Sequence, residues 1–259
     1  MQSLWEKIKD LYVGEGKIAV FWLGQAGFVF KDHNGTLIAI DPYLTHCCER
    51  LHGFKRLMPS LISPEEFVPD IFICTHHHAD HLDIDAVPII MESSDTILLG
   101  SQTSITMCEE MGIDENRLIS LHEGDKKTIK GIKVTAVYAD HGELAPDAIG
   151  ILMEISKAKI YYTSDTAYSP EKMKEAIDFN PDIIILPING QFGNLNPDEA
   201  AKLVVDTKAR VAIPCHYWTF KEHNGDPQAF QIALKKYASN AQLVFITQGD
   251  YFMYEGFHT

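Results

Sequence analysis

The chain has 259 residues, 46% apolar and 22% charged, an ordinary balance for a protein that buries a substantial core. Its 36 acidic residues outnumber 22 lysines and arginines, and the net charge of -14 argues against a large polyanionic partner such as a nucleic acid. No apolar run approaches the roughly 20 residues that span a bilayer, so no membrane partner is expected.

The first third reads as strands over Ile18 to Trp22, Gly27 to Lys31 and Thr36 to Ile40. The last two are joined by Asp32-His33-Asn34-Gly35, where Asn-Gly is a hairpin turn signal. Asp41-Pro42 ends the third strand, and an irregular segment runs to about Ser63, a length usually associated with function or mobility. Ile71 to Cys74 is a short apolar strand. A helix over Ile84 to Met91, a strand over Thr96 to Leu99 and a helix over Gln102 to Met111, capped by Gly112, come next. Strands then fall at Leu118 to Leu121, Lys127 to Ile129 and Lys133 to Tyr138.

The second half repeats the plan, with strands Ile149 to Ile155 and Lys159 to Thr163, a helix over Pro170 to Asp178 and strand Ile183 to Pro187. A helix over Pro197 to Thr207 has Asn196 as its cap and proline at its first position. Strand Val211 to Pro214, helix Pro227 to Ala238 and strands Gln242 to Thr247 and Tyr251 to Tyr254 complete the chain. No linker or short repeat divides it, so one domain over residues 1–259 is expected, of α/β (α+β) class, with two mixed sheets and helices outside. The five cysteines form no C-x-x-C pair, and the start lacks the basic-then-apolar pattern of a signal peptide. Both features point to a reducing cytoplasm with free thiols, and Cys47-Cys48 reads as a pair of ordinary loop thiols.

The segment His76-His77-His78-Ala79-Asp80-His81 carries four imidazoles and a carboxylate in six positions. Such a cluster is costly to bury unless a cation sits among the rings. On an extended segment, residues i and i+2 point the same way, so His76 and His78 can grip one ion while Asp80 and His81 face a second. His77 points the other way. Four further residues each follow an apolar strand: Asp41, His141, Asp165 and His216. Strand ends along one sheet edge are where sites collect, because the scaffold is rigid and the loops are free.

With His76-x-His78-x-Asp80-His81 followed by His141, Asp165 and His216, the chain resembles the metallo-β-lactamase superfamily of dinuclear hydrolases. The resemblance implies a four-layer αββα sandwich. It also implies His76, His78 and His141 around a first metal, Asp80, His81 and His216 around a second, and Asp165 between them. Asp41 matches a carboxylate that orients a ligand imidazole. The segments Trp22-Leu23-Gly24-Gln25-Ala26-Gly27, Arg50-Leu51-His52-Gly53-Phe54-Lys55-Arg56-Leu57-Met58-Pro59 and Asp226-Pro227-Gln228 are similar to the L-ascorbate-6-phosphate lactonase (UlaG-like) group. Arg50, Lys55 and Arg56 could grip a phosphate or carboxylate, or simply form a solvated basic turn. Asn189, Gln191 and His223 could contact a sugar-like substrate, or lie on the surface. Tyr217 and Trp218 could form a pocket wall but read rather as core, and Cys215 reads as core.

Two divalent ions, Zn or Mn with Fe also compatible, would share a hydroxide, since a metal lowers the pKa of bound water from about 15.7 to about 7. No nucleophile motif is present, so water is the expected attacker, with Asp80 and Asp165 as the catalytic carboxylates. The leading expectation is a lactonase acting on a small sugar-derived lactone, phosphorylated or not, such as L-ascorbate 6-phosphate. A phosphodiesterase on a small cyclic or lipid-derived diester is the alternative, followed by a non-enzymatic metal-binding protein. A di-iron oxidoreductase would prefer Glu at position 78. The expected partner is a small molecule, anionic or neutral, with a homo-oligomer left open.

Overall fold

The apolar runs become fourteen strands in two mixed sheets of seven in the computed structural model, which describes residues 2–92, 95–238 and 240–256. The chain divides into two compact units, one comprising residues up to Leu121 together with those from Ile246 on, the other His122–Phe245. Among the described residues no helix is long and apolar enough to cross a membrane.

In the first unit, β1 (Ile18–Gly24), β2 (Gly27–Asp32), β3 (Leu37–Ile40), β4 (Ile71–Cys74), β5 (Ile97–Ser101) and β6 (Leu118–Leu121) lie side by side, with β14 (Tyr251–Tyr254) outside β1. From β14 to β3 the pairings are antiparallel, and from β3 to β6 they are parallel. β1 and β3, both antiparallel to β2, therefore run in the same direction as β4. Their C-terminal ends share one edge. β4 is buried along its whole length, as a continuous apolar run in a parallel sheet should be.

The core beneath this sheet includes Trp5 and Ile8 of α1 (Leu4–Asp10), with the Trp5 ring 4.6 Å from that of Phe67. This helix is not among the elements expected from the sequence, although Ser3 and Glu6 form a capping box. The buried Lys31 amine donates to the carbonyls of Ile8 and Lys9 at the end of α1, which ties the helix to β2. A second unexpected helix, α2 (Cys47–His52), closes on Gly53 at φ +76°. The segment after Asp41 is therefore not irregular throughout, and Cys47 and Cys48 are buried helical residues instead of loop thiols. α3 (Val87–Glu92) and α4 (Gln102–Glu110) complete the unit.

The second unit mirrors this plan. β7 (Lys126–Ile129), β8 (Ile132–Tyr138), β9 (Ile149–Ile155) and β10 (Ala158–Tyr162) pair antiparallel, and β10, β11 (Ile183–Pro187), β12 (Val211–Cys215) and β13 (Gln242–Leu243) pair parallel. β8, β10, β11 and β12 run in one direction, so their C-terminal ends also share an edge. α5 (Lys174–Asp178) starts later than expected, because Lys172 and Met173 donate to the Ser169 carbonyl in a preceding turn. α6 (Pro197–Thr207) and α7 (Pro227–Tyr237) start at their prolines. β13 is shorter than expected: past Leu243 only the Val244 amide continues toward β12, through the Ala212 carbonyl.

Asn196 caps α6 through hydrogen bonds from the amides of Asp198 and Glu199, and the Glu199 carboxylate accepts from the Asn196 amide. Asn196→Ala should lower unfolding stability by about 1 kcal/mol, read from thermal and urea melts, while leaving the far-ultraviolet spectrum unchanged.

Candidate functional site

In the first unit the edge carries Gln25 after β1, Asp41 after β3 and the histidine segment after β4. Beyond Thr75 the chain makes a single turn, with the amides of His81 and Leu82 both donating to the His78 carbonyl. This turn brings His81 back beside His76, ring centroids 4.0 Å apart, while His76 Nε2 lies 3.0 Å from His78 Nδ1. The His77 ring lies against His78, 5.1 Å away, and joins no ligand cluster among the described residues.

Asp41 is fully buried and organises the segment. Its Oδ1 accepts the Thr75 amide at 2.8 Å, and its Oδ2 accepts the Thr75 hydroxyl at 2.6 Å and His81 Nδ1 at 2.7 Å. A proton held on Nδ1 makes Nε2 the metal-ligating atom of His81. Thr75 Oγ1 also lies 3.2 Å from His76 Nδ1, which likewise turns His76 Nε2 outward. Asp80 Oδ2 accepts from Gln25 Nε2 at 2.8 Å and lies 3.7 Å from His81 Nε2.

In the second unit β8 delivers His141, β10 delivers Asp165, β11 delivers Asn189 and β12 delivers His216, all at one edge. His216 Nε2 is 3.2 Å from Asp165 Oδ1, and His141 Nε2 is 3.8 Å from Asp165 Oδ2. That Oδ2 also accepts from Asn194 Nδ2 at 2.9 Å. His223 stacks on His216 with centroids 4.4 Å apart and planes 11° from parallel, and it also meets Phe192 and Phe220 edge-on.

Gln25 (φ +51°), Asp41 (φ +47°), Ser164 (φ +62°) and His216 (φ +63°) at these edges hold left-handed backbone without being glycine. Each conformation costs on the order of 1 kcal/mol or more, and strain of this kind collects at functional sites. The donor atoms fit a metal. Ligands at 2.0–2.1 Å on a tetrahedral ion sit about 3.3 Å apart. The within-unit spacings of 3.0, 3.2, 3.7 and 3.8 Å bracket that value, and the donors are all imidazole nitrogens and carboxylate oxygens.

Residues 19–216 match the family model described as "Beta-lactamase superfamily domain". A UPF0173 metal-dependent hydrolase of Polynucleobacter asymbioticus is 31% identical, with 91% of this chain and 86% of that protein covered. The chain belongs to the metallo-β-lactamase superfamily. Among solved structures, the metallo hydrolase Igni18 of Ignicoccus hospitalis superposes with a TM-score of 0.74 at 20% identity, covering 93% of this chain and 99% of the other. The metallo-β-lactamase fold protein YhfI of Bacillus subtilis superposes at 0.69 and 17% identity, covering 93% and 99%. The fold class expected from the sequence is the fold of these neighbours, and within the superfamily the chain groups with the UPF0173 metal-dependent hydrolases.

For a member of this superfamily, the basic loop after Asp41 needs correction. Arg56 does not reach toward a ligand. Its Nε donates to the Met58 carbonyl, its Nη1 to those of Tyr43 and Thr45, and its Nη2 to that of Pro59, while its guanidinium lies 4.5 Å over the Tyr43 ring. It is a buried staple for the loop, and the anion-gripping role is withdrawn. Arg50, on α2, pairs with Asp85 at 2.5 Å, which leaves Lys55 exposed on the loop.

Asn189 is buried with Nδ2 3.4 Å from the Gln191 carbonyl, whereas Gln191 itself is exposed. Trp218, expected in the core, is 59% exposed, whereas Tyr217 and Cys215 are buried as expected. Burial holds the thiol of Cys74 protonated and pushes that of Cys108 up to about 12, which removes both as nucleophiles. Three residues escaped the sequence analysis: Thr75, Gln25 and Asn194. Thr75 adjoins the histidine segment and Gln25 lies in a quoted motif, but nothing in sequence marks Asn194.

Arg56→Met leaves the carbonyls of Tyr43, Thr45 and Met58 short of a donor. It should cost at least about 2 kcal/mol of stability in denaturant melts. Any effect on KM should be equal for anionic and neutral substrates, in contrast to the behaviour of an anion-binding arginine.

Proposed function

We propose that this chain hydrolyses a small, neutral, sugar-derived lactone by water attack, with two divalent ions held by the residues at the two strand-end edges. His76, His78 and His141 would hold one ion, Asp80, His81 and His216 the other, and Asp165 would lie between them. Zn and Mn both suit this set of nitrogen and oxygen donors, and Fe is compatible. When bound, the ions would supply Lewis acidity to polarise the scissile carbonyl and acidify the attacking water. The chain's own residues orient and exclude. Asp41 fixes His81, Thr75 turns His76, and Asp80 and Asp165 are the catalytic carboxylates.

The observation that carries the proposal is the donor set itself: within each unit, buried or half-buried imidazole nitrogens and carboxylate oxygens stand at the separations one ion imposes. Support for a neutral substrate comes from Arg56, whose donors serve backbone carbonyls, and from Arg50, which is paired with Asp85. Support for a hydroxylated substrate comes from Asn189. Its buried Oδ1 has no hydrogen-bond partner among the described residues and suits a sugar hydroxyl donor. Gln191 and His223 are the remaining polar candidates, and the exposed Phe192 and Trp218 offer apolar walls.

The test is metal analysis followed by a hydrolysis screen of neutral sugar lactones, phosphorylated lactones and phosphodiesters, with Zn and Mn supplied separately. About two ions per chain and the highest kcat/KM on neutral lactones are expected. His78→Ala and Asp165→Asn should each lower kcat/KM by more than the roughly 100-fold that loss of an outer partner costs. Fewer than one tightly bound ion per chain would sink the two-metal assignment, and preferred turnover of phosphodiesters would replace the lactonase with the alternative diesterase.

A further inference from the structure

Each of the two catalytic carboxylates accepts a hydrogen bond on its Oδ2 from a buried carboxamide: Asp80 from Gln25 at 2.8 Å and Asp165 from Asn194 at 2.9 Å. We infer that Gln25 and Asn194 are positioning residues, which hold each carboxylate in its metal-facing orientation by a hydrogen bond to Oδ2, an oxygen with a second lone pair. The inference rests on the proposal above that Asp80 and Asp165 are metal ligands. A carboxylate only accepts, so each amide must turn its NH2 toward it, and the orientation of both carboxamides is set. Lys or Arg could donate as well, but would cancel the charge that the dication needs. A carboxamide supplies the hydrogen bond and leaves the carboxylate at full charge.

The backbone is built to deliver both side chains. Gln25 sits at the tip of the β1–β2 hairpin at φ +51°, is 1% exposed, and accepts from Trp22 Nε1 at its carbonyl. The flanking glycines make this tip possible. Gly24 has φ +103°, and a Cβ on Gly27 would stand 3.2–3.3 Å from the backbone of Gly24, Asp41 and Pro42. Asn194 is 5% exposed in the loop after β11, where its amide donates to the Gln191 carbonyl, that of Leu195 to Thr166 and that of Gly190 to Leu195. The Thr166 link anchors this loop one residue beyond Asp165.

The experiment measures Zn2+ affinity of the full chain by competition with a chromophoric chelator, the visible spectrum of the Co2+-substituted protein, and the melting temperature of chelator-treated protein. The variants are Gln25→Met, Asn194→Leu and Asn194→Ala, beside Asp80→Asn and Asp165→Asn. Loss of a carboxamide should weaken metal binding by about 10–100-fold and shift the Co2+ spectrum, with the metal-free melting temperature little changed. Gln25→Met should weaken one of two ions, and either Asn194 variant should weaken both, because Asp165 lies between them. If Asp80→Asn and Asp165→Asn bind Zn2+ as the unaltered chain does, the ligand assignment itself fails. If those two lose metal while the carboxamide variants keep both affinity and spectrum, the positioning inference is overturned. It is equally overturned if every carboxamide variant loses metal only in step with a fall in the metal-free melting temperature, which marks a purely structural role.

Discussion

The Asp41 carboxylate is the constraint on which the first unit's edge depends. Fully buried, it receives the Thr75 amide, the Thr75 hydroxyl and the His81 imidazole, and so joins the end of β3 to the end of β4. Hydrogen bonds to a charged group are worth about 1.5–3 kcal/mol each, enough to hold Asp41 in its left-handed backbone. Its other consequences are local and specific. The imidazole of His81 is fixed in one tautomer, and a Cβ on Gly27 would stand only 3.3 Å from the backbone of Asp41 and Pro42, tighter than ordinary contact. The turn that carries the histidines is thus shaped around the Asp41 carboxylate, and the hairpin that carries Gln25 packs against the Asp41 backbone.

Topology supplies the rest of the alignment. A parallel stretch places consecutive C-terminal ends on one edge, and an even number of antiparallel steps returns a strand to the same direction. β1 reaches the edge of the first sheet by two such steps, as β8 does in the second. That is why His141, from a strand outside the parallel block, sits within 3.8 Å of Asp165 from a strand inside it. The strained backbones at Ser164 and His216 are the local cost of ending those strands on a side chain that must turn along the edge.

Much of this was legible in sequence because it is written in periodicity and punctuation. Strands such as Leu118–Leu121, Ile149–Ile155 and Ile183–Pro187 were read to the residue, since apolar runs bounded by turn signals leave little freedom. α6 was equally clear from Asn196-Pro197. The ligand-type residues stood out because histidine at that density has no ordinary use. α1 escaped notice although it carries a capping signature, and α2 because six residues are too few to show a helical period. Gln25, Asn194 and the real task of Arg56 were not legible for a different reason. A carboxamide or guanidinium acquires its role from the partner brought to it, and those partners lie two to 55 positions away in the chain.

Arg56 shows why counting cations along a loop misleads. With a charge of -14 overall, three basic residues within seven positions look like a deliberate anion site. Yet a guanidinium has five N–H donors and cannot shed its proton, so in a glycine- and proline-punctuated loop it is also well suited to gather stray carbonyls. Tyr43, Thr45, Met58 and Pro59 present four of them, and the Tyr43 ring covers the face of the cation. Once those bonds are made, recruiting Arg56 to a substrate would strip the buried Tyr43 carbonyl of its donor at about 1–3 kcal/mol, and the half-buried Thr45 and Met58 carbonyls of theirs at a smaller cost. The hydrogen bonds that Arg56 makes to the loop backbone thus account for its guanidinium without any substrate.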